Sequence, residues 1–166
     1  MDLAIGFHHP HPLSSQHRTP VLAVKMLPSS SCHILLSNQK ILTMMHGDPD
    51  SPIYAMGLTQ SRPGEQRWVI EQQSDNMALL YSPMYKKYAG VTTALHPNVS
   101  VVVTDSSSAS KFVMEKVNDN SYKIYVYHGA NKLYFYLSPD WNHSPKTALV
   151  AEDESTDAVW QIQPLT

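Results

Sequence analysis

Few residues in this chain of 166 stand at spacings that chemistry would use. The run His8-His9-Pro10-His11-Pro12 gathers imidazoles that suit a metal ion, but no Cys, Asp or Glu accompanies them at ligand spacing, and its prolines oppose regular structure. Asp153 and Asp157 supply the two carboxylates of glycoside chemistry, yet they belong to the acidic run from Glu152 to Asp157, most simply a solvated connection. No HExxH pair and no GxSxG elbow occur, and six glycines leave little from which to build a phosphate loop. The expectation is a binding protein, neither an enzyme nor dependent on a cofactor.

Residues suited to contact are easier to find. Arg62-Pro63-Gly64 falls in a long loop between Gly57 and Glu65 and is expected at its exposed tip. The segment Tyr81-Ser82-Pro83-Met84-Tyr85-Lys86-Lys87-Tyr88 reads as a hairpin whose turn carries Met84 and Tyr85, apolar side chains that a solvated loop has no thermodynamic reason to display.

The elements that must hold these loops recur. Trp68-Val69-Ile70-Glu71, Phe112-Val113-Met114-Glu115 and Trp160-Gln161-Ile162-Gln163 repeat one pattern at intervals of about 45 residues, the signature of a repeated supersecondary unit. In each, the aromatic and the Ile or Met lie two apart and share one side of a pleat. Ahead of these phrases stand Ile53-Tyr54-Ala55-Met56, Val101-Val102-Val103 and Thr147-Ala148-Leu149-Val150. Further back come Lys40-Ile41-Leu42, Lys87-Tyr88-Ala89 and Lys132-Leu133-Tyr134, preceded in turn by the runs His33 to Leu36, Met77 to Tyr81 and Tyr122 to Tyr127. Four strands in each of three units predict an all-β chain, a β-trefoil, with six strands closing a barrel and three hairpins capping it. The units are expected at about 32–75, 76–118 and 119–166, after an N-terminal arm over 1–31 that is disordered or loosely attached. In the third unit Tyr125 and Tyr127 share a face, predicting a row of tyrosines that meets the barrel or its rim.

Composition narrows the partners. A formal net charge of −2 and a pI near 6.5 leave no basic stripe for phosphates, so nucleic acid is not expected as a partner. The lone Cys32 cannot form an internal disulfide, and the fold must hold by packing and strand pairing. No secretory leader and no run of 18 apolar residues is seen, so the expected location is cytoplasmic, with no membrane partner.

The stretch Lys132-Leu133-Tyr134-Phe135-Tyr136-Leu137, followed by Thr147-Ala148-Leu149-Val150 and Ala158-Val159-Trp160-Gln161-Ile162, resembles the fungal β-trefoil protease inhibitors, the group of the mycocypins and the cospin-like serine protease inhibitors. The resemblance spans 32–166 and implies a cytoplasmic, disulfide-free defence or regulatory protein of a fruiting fungus, whose loops block a serine or cysteine protease. Physically, a loop fixed at both ends by a barrel loses little further entropy on entering a protease groove. Arg62 suits an acidic specificity pocket, and Pro63 after it would resist cleavage; Met84, Tyr85 and Lys86 offer an aromatic or basic anchor. Asn98, Asn118, Asn120 and Asn131 would matter to an asparagine-specific protease.

A second resemblance is to the ricin-B-type lectins, which would make the partner a glycan. Gln66-Arg67-Trp68 is a literal QxW, the mark of a sugar-binding repeat in that family, whereas the other units read Ser110-Lys111-Phe112 and Ala158-Val159-Trp160. The acidic residue that grips sugar hydroxyls in those lectins is replaced by Thr43, Gly90 and Phe135. In this alternative Tyr54 or Trp141 would stack on a pyranose.

Overall fold

Alternating apolar and polar residues, interrupted by Gly, Pro, Asn and Asp, fold here into strands and tight turns. The structure is a computed structural model that describes residues 27, 30–36, 39–91, 99–137, 146–151 (backbone only) and 159–166. All twelve strand-like runs of the sequence are strands. The first unit holds β1 (Cys32–Leu36), β2 (Ile41–Thr43), β3 (Tyr54–Met56) and β4 (Val69–Gln72). The second holds β5 (Met77–Ser82), β6 (Lys87–Val91), β7 (Val99–Thr104) and β8 (Phe112–Asn118). The third holds β9 (Ser121–His128), β10 (Asn131–Leu137), β11 (Lys146–Ala151) and β12 (Val159–Pro164).

The pairing closes. β1 pairs with β12, β12 with β9, β9 with β8, β8 with β5 and β5 with β4, all antiparallel. The bridge between Cys32 and Trp68 joins β4 back to β1 and completes a six-stranded barrel. The remaining strands form three hairpins, β2–β3, β6–β7 and β10–β11, at one end of it. β11 pairs with both β3 and β7, and a bridge from Pro52 to Val102 links the other two hairpins. This is the predicted β-trefoil, its barrel closed among the described strands.

The three phrase aromatics meet inside. Trp68, Phe112 and Trp160 are fully buried, and the Phe135 ring stacks on Trp160 at 4.7 Å and tilts against Phe112 at 5.8 Å. Each indole spends its N–H on a hairpin carbonyl, Trp68 on Leu42 at 2.8 Å and Trp160 on Phe135 at 2.9 Å. Phe112 has no N–H, so unit two does without that tie.

Of the segment expected as an arm, residues 27, 30 and 31 are described: Leu27 is buried in the core, its N–H donates to Oε1 of Gln72 at 3.1 Å, and the Ser31 carbonyl accepts from Leu165. The tyrosine row meets the barrel on its outer face rather than in its core. Tyr125 and Tyr134 form a separate buried cluster with Val113 and partly buried Met77, while Tyr127 stands 53 % exposed with its ring at right angles to that of Tyr125. The reason is register: Tyr125 sits opposite both Val113 and Tyr134, and Ile124 and Val126 between them take the inward positions.

Candidate functional site

The long loop of unit one and the hairpin of unit two come together. Pro63–Gln66 forms a short 3-10 turn with extended Arg62 at its start and proline in its first turn, where a missing N–H costs nothing. The turn aims Glu65 inward, where it is buried. Glu65 accepts from the Arg62 backbone N–H at 3.0 Å and from Arg62 Nε at 2.8 Å. The Tyr85 hydroxyl reaches in from the other loop, 2.7 Å from the Met45 carbonyl and 3.1 Å from Oε1 of Glu65, and accepts from Nη2 of Arg62 at 2.9 Å. Burial alone would raise the Glu65 pKa, but the hydrogen bonds from Arg62 and Tyr85 outweigh it and hold the carboxyl below its usual value. Burial, and then the hydrogen bond to Glu65, raise that of the Tyr85 phenol.

Tyr85 is therefore not displayed. Its ring packs against the barrel core and crosses Gly47 so closely that a Cβ there would stand 2.8 Å from Cδ1. Arg62 keeps an exposed side chain, but its Nε and Nη2 already serve Glu65 and Tyr85. Of the hairpin's other candidates, Met84 is 40 % exposed, and Lys86 is exposed at a φ of 54°. Asn118, Asn120 and Asn131 are exposed at strand ends and turns, while Asn98, Trp141, the His-Pro run and the Asp153–Asp157 pair lie outside the described residues.

The lectin-like positions are used for packing. Thr43 is fully buried and donates to the Ile41 carbonyl at 2.8 Å; Gly90 and Phe135 are buried too. Gln66 of the QxW is buried, its amide donating to the Gly57 carbonyl at 3.0 Å and its Oε1 without a partner among the described residues. Tyr54 is half-buried on β3 between Thr43 and Thr147, and no described feature turns it into a platform.

A depression of about 660 Å³ opens elsewhere, on the outside of the barrel where the first and last strands meet. In the β1–β12 ladder His33 lies opposite Gln163 and Leu35 opposite Gln161, so all four side chains share the outward face. Leu36, Ile41 and Leu165 supply further aliphatic surface. One wall is the β1–β2 turn with Gln39, at a φ of 63°, and Lys40; the other is Gly57 and Leu58 after β3. Leu58 is 60 % exposed at the rim. Burial, then the nearby Arg67 guanidinium, lower the pKa of His33, so its ring is neutral at neutral pH and carries one donor and one acceptor. Three side-chain amides, a neutral imidazole and an aliphatic lining can hold a polyhydroxylated molecule. The alternation of β1 and β12 marks His33, Gln161 and Gln163 as outward in the sequence; that they face one another required barrel closure.

No protein-family model and no curated protein matches the sequence. Solved structures match the fold. A designed three-fold symmetric protein, ThreeFoil, superposes with a TM-score of 0.70 at 12 % identity over 81 % of this chain and 99 % of its own. The Macrolepiota procera ricin B-like lectin, in complex with lactose, gives 0.67 at 13 % identity over 85 % and 99 %. An exo-β-1,3-galactanase from Clostridium thermocellum gives 0.71 at 12 % identity over 83 % of this chain but 31 % of that one.

Proposed function

We propose that this β-trefoil is a carbohydrate-binding, lectin-like module and that the β1–β12 depression receives the sugar. The observation that carries the reading is the depression itself: about 660 Å³, lined by Gln39, Gln161 and Gln163 amides, His33 and Lys40, over Leu and Ile side chains. Sugar hydroxyls need partners that both donate and accept, and amides and a neutral imidazole do both, while aliphatic side chains cover the C–H faces of a pyranose. The shared fold with a lactose-bound lectin supports the class of ligand. The site differs from the QxW-based arrangement, because Thr43, Gly90 and Phe135 are core residues here. A glycan array that includes lactose tests the reading, with the wild type beside Gln161→Ala/Gln163→Ala. Binding that the double substitution removes is the expected result; an array without signal above background ends the reading.

A second reading, inhibition of a serine or cysteine protease, is supported by one observation, the firm seating of the unit-two hairpin. Tyr85 anchors it and leaves Met84 and Lys86 outward, so they, rather than Arg62, are the residues to enter a protease cleft. Titration against trypsin, subtilisin, papain and legumain decides it, and full residual activity of all four discards it.

A further inference from the structure

The outward face of β4, β5 and β6 carries a second group of side chains suited to a ligand. Val69 pairs with Tyr81, Glu71 with Leu79, and Tyr81 with Tyr88, so these side chains stand together outside the barrel while Ile70, Ala78 and Leu80 fill its core. The Tyr81 and Tyr88 rings lie 5.0 Å apart, inclined at 46°, and both are half-buried. Tyr88 donates its hydroxyl to Oε2 of Glu71 at 3.1 Å, which fixes the carboxylate beside the rings. Among the described residues Oε1 of Glu71 takes no hydrogen bond, and no lysine or arginine pairs with it. Burial, and then that hydrogen bond, raise the Tyr88 pKa, so the phenol stays protonated as a donor.

We infer that Glu71, Tyr81 and Tyr88 form a second binding site, distinct from the β1–β12 depression, for a neutral hexopyranoside. The uncovered part of this half-buried pair of rings offers apolar surface on which the C–H face of a pyranose rests. A carboxylate held at the ring edge accepts from sugar hydroxyls, and charge-assisted bonds of this kind are about twice as strong as neutral ones. The same charge opposes uronic, sialic and sulfated sugars, which selects a neutral ligand. The two sites lie on different strands of the barrel, so one molecule can engage two residues of a branched or surface-bound glycan and gain avidity without new contacts.

The inference rests on the carbohydrate reading, and one experiment separates them. The tyrosine ring and glutamine side-chain NMR signals are followed in full-length protein during titration with millimolar lactose, methyl α-mannoside and N-acetylglucosamine. The proteins are wild type, Glu71→Gln, Tyr81→Leu and Gln161→Ala/Gln163→Ala. At least one sugar is expected to shift the Tyr81 and Tyr88 rings saturably in the wild type and in the depression variant. Glu71→Gln keeps an acceptor for Tyr88 yet weakens that response at least about tenfold, the scale of a lost charge-assisted hydrogen bond. Tyr81→Leu removes it while retaining apolar bulk. Rings that stay unmoved while the Gln161 and Gln163 signals respond overturn this site and leave the depression standing. Moving rings with silent glutamines do the reverse, and silence at both places overturns both.

Discussion

The hydroxyl of Tyr85 lies 2.9 Å from Nη2 of Arg62, tying the tip of the unit-two hairpin to the long loop of unit one. The two residues are 23 apart in the chain, and both look like free surface side chains in the sequence. Together with Glu65 and the Met45 carbonyl they form a clasp across the boundary between two repeats.

The clasp predicts an ordering of substitutions. Tyr85→Phe keeps the ring over Gly47 but removes the one hydroxyl proton, which the nearer Met45 carbonyl at 2.7 Å accepts, at a cost of about 1–3 kcal/mol. Arg62→Ala keeps the backbone N–H bond to Glu65 but removes the guanidinium that pairs with this buried carboxylate, and its cost is the larger of the two. Thermal unfolding followed by circular dichroism reads both; a Tyr85→Phe variant less stable than Arg62→Ala contradicts the ion pair as the stronger part of the clasp.

Two close approaches of glycine give opposite outcomes. A Cβ on Gly47 meets the Tyr85 ring at 2.8 Å, and that ring is held at its hydroxyl, so Gly47→Ala must shift the clasp and costs about 1–3 kcal/mol as overpacking. A Cβ on Gly64 meets only Sδ of Met84 at 2.9 Å, the far end of a flexible, partly exposed side chain, so Gly64→Ala is near neutral. Equal losses in midpoint temperature for the two variants would show that Tyr85 is not held as described.

Stability should fall on the acid side in two steps. The folded-state pKa of His33 lies below 6.5, so as pH drops through 6.5 the unfolded chain binds the proton first and the contribution present at higher pH is lost. Glu65 behaves in the same sense lower down: its folded pKa is below 4.5, and its contribution disappears as pH falls from 4.5 through the folded value. Midpoint temperature against pH for His33→Gln should lose slope in the upper window, and for Glu65→Gln in the lower one. An unchanged slope in either variant refutes the corresponding assignment.

Cys32 should be chemically silent in the native state. Its thiol is fully buried in β1, and burial pushes its pKa up to about 12, so almost no thiolate forms at neutral pH. A thiol reagent is expected to label the protein at the rate of global or local opening, and at once in guanidinium. Rapid stoichiometric labelling without denaturant would place Cys32 outside the core.

Much of the fold was legible in the residues. The recurrent aromatic phrase, the alternation around it and the turn residues between strands are local signals, and each reports one face of one pleat. Positions such as Tyr85 and Tyr125 were not legible in the same way. Hydrophobicity says that a ring avoids water, but not whether it enters the barrel, as Trp160 does, or covers its outside, as Tyr125 does. Register and closure choose between those outcomes.

The chain by itself determined where strands begin, that they recur three times, and that no disulfide supports them, because these follow from side-chain size, polarity and backbone preference over a few residues. Only the tertiary structure decided which strands became neighbours. It set His33 against Gln163, from opposite ends of the chain, and Tyr85 against Met45. Such contacts depend on barrel closure, whose long-range pairing is a property of the whole sheet rather than of any segment.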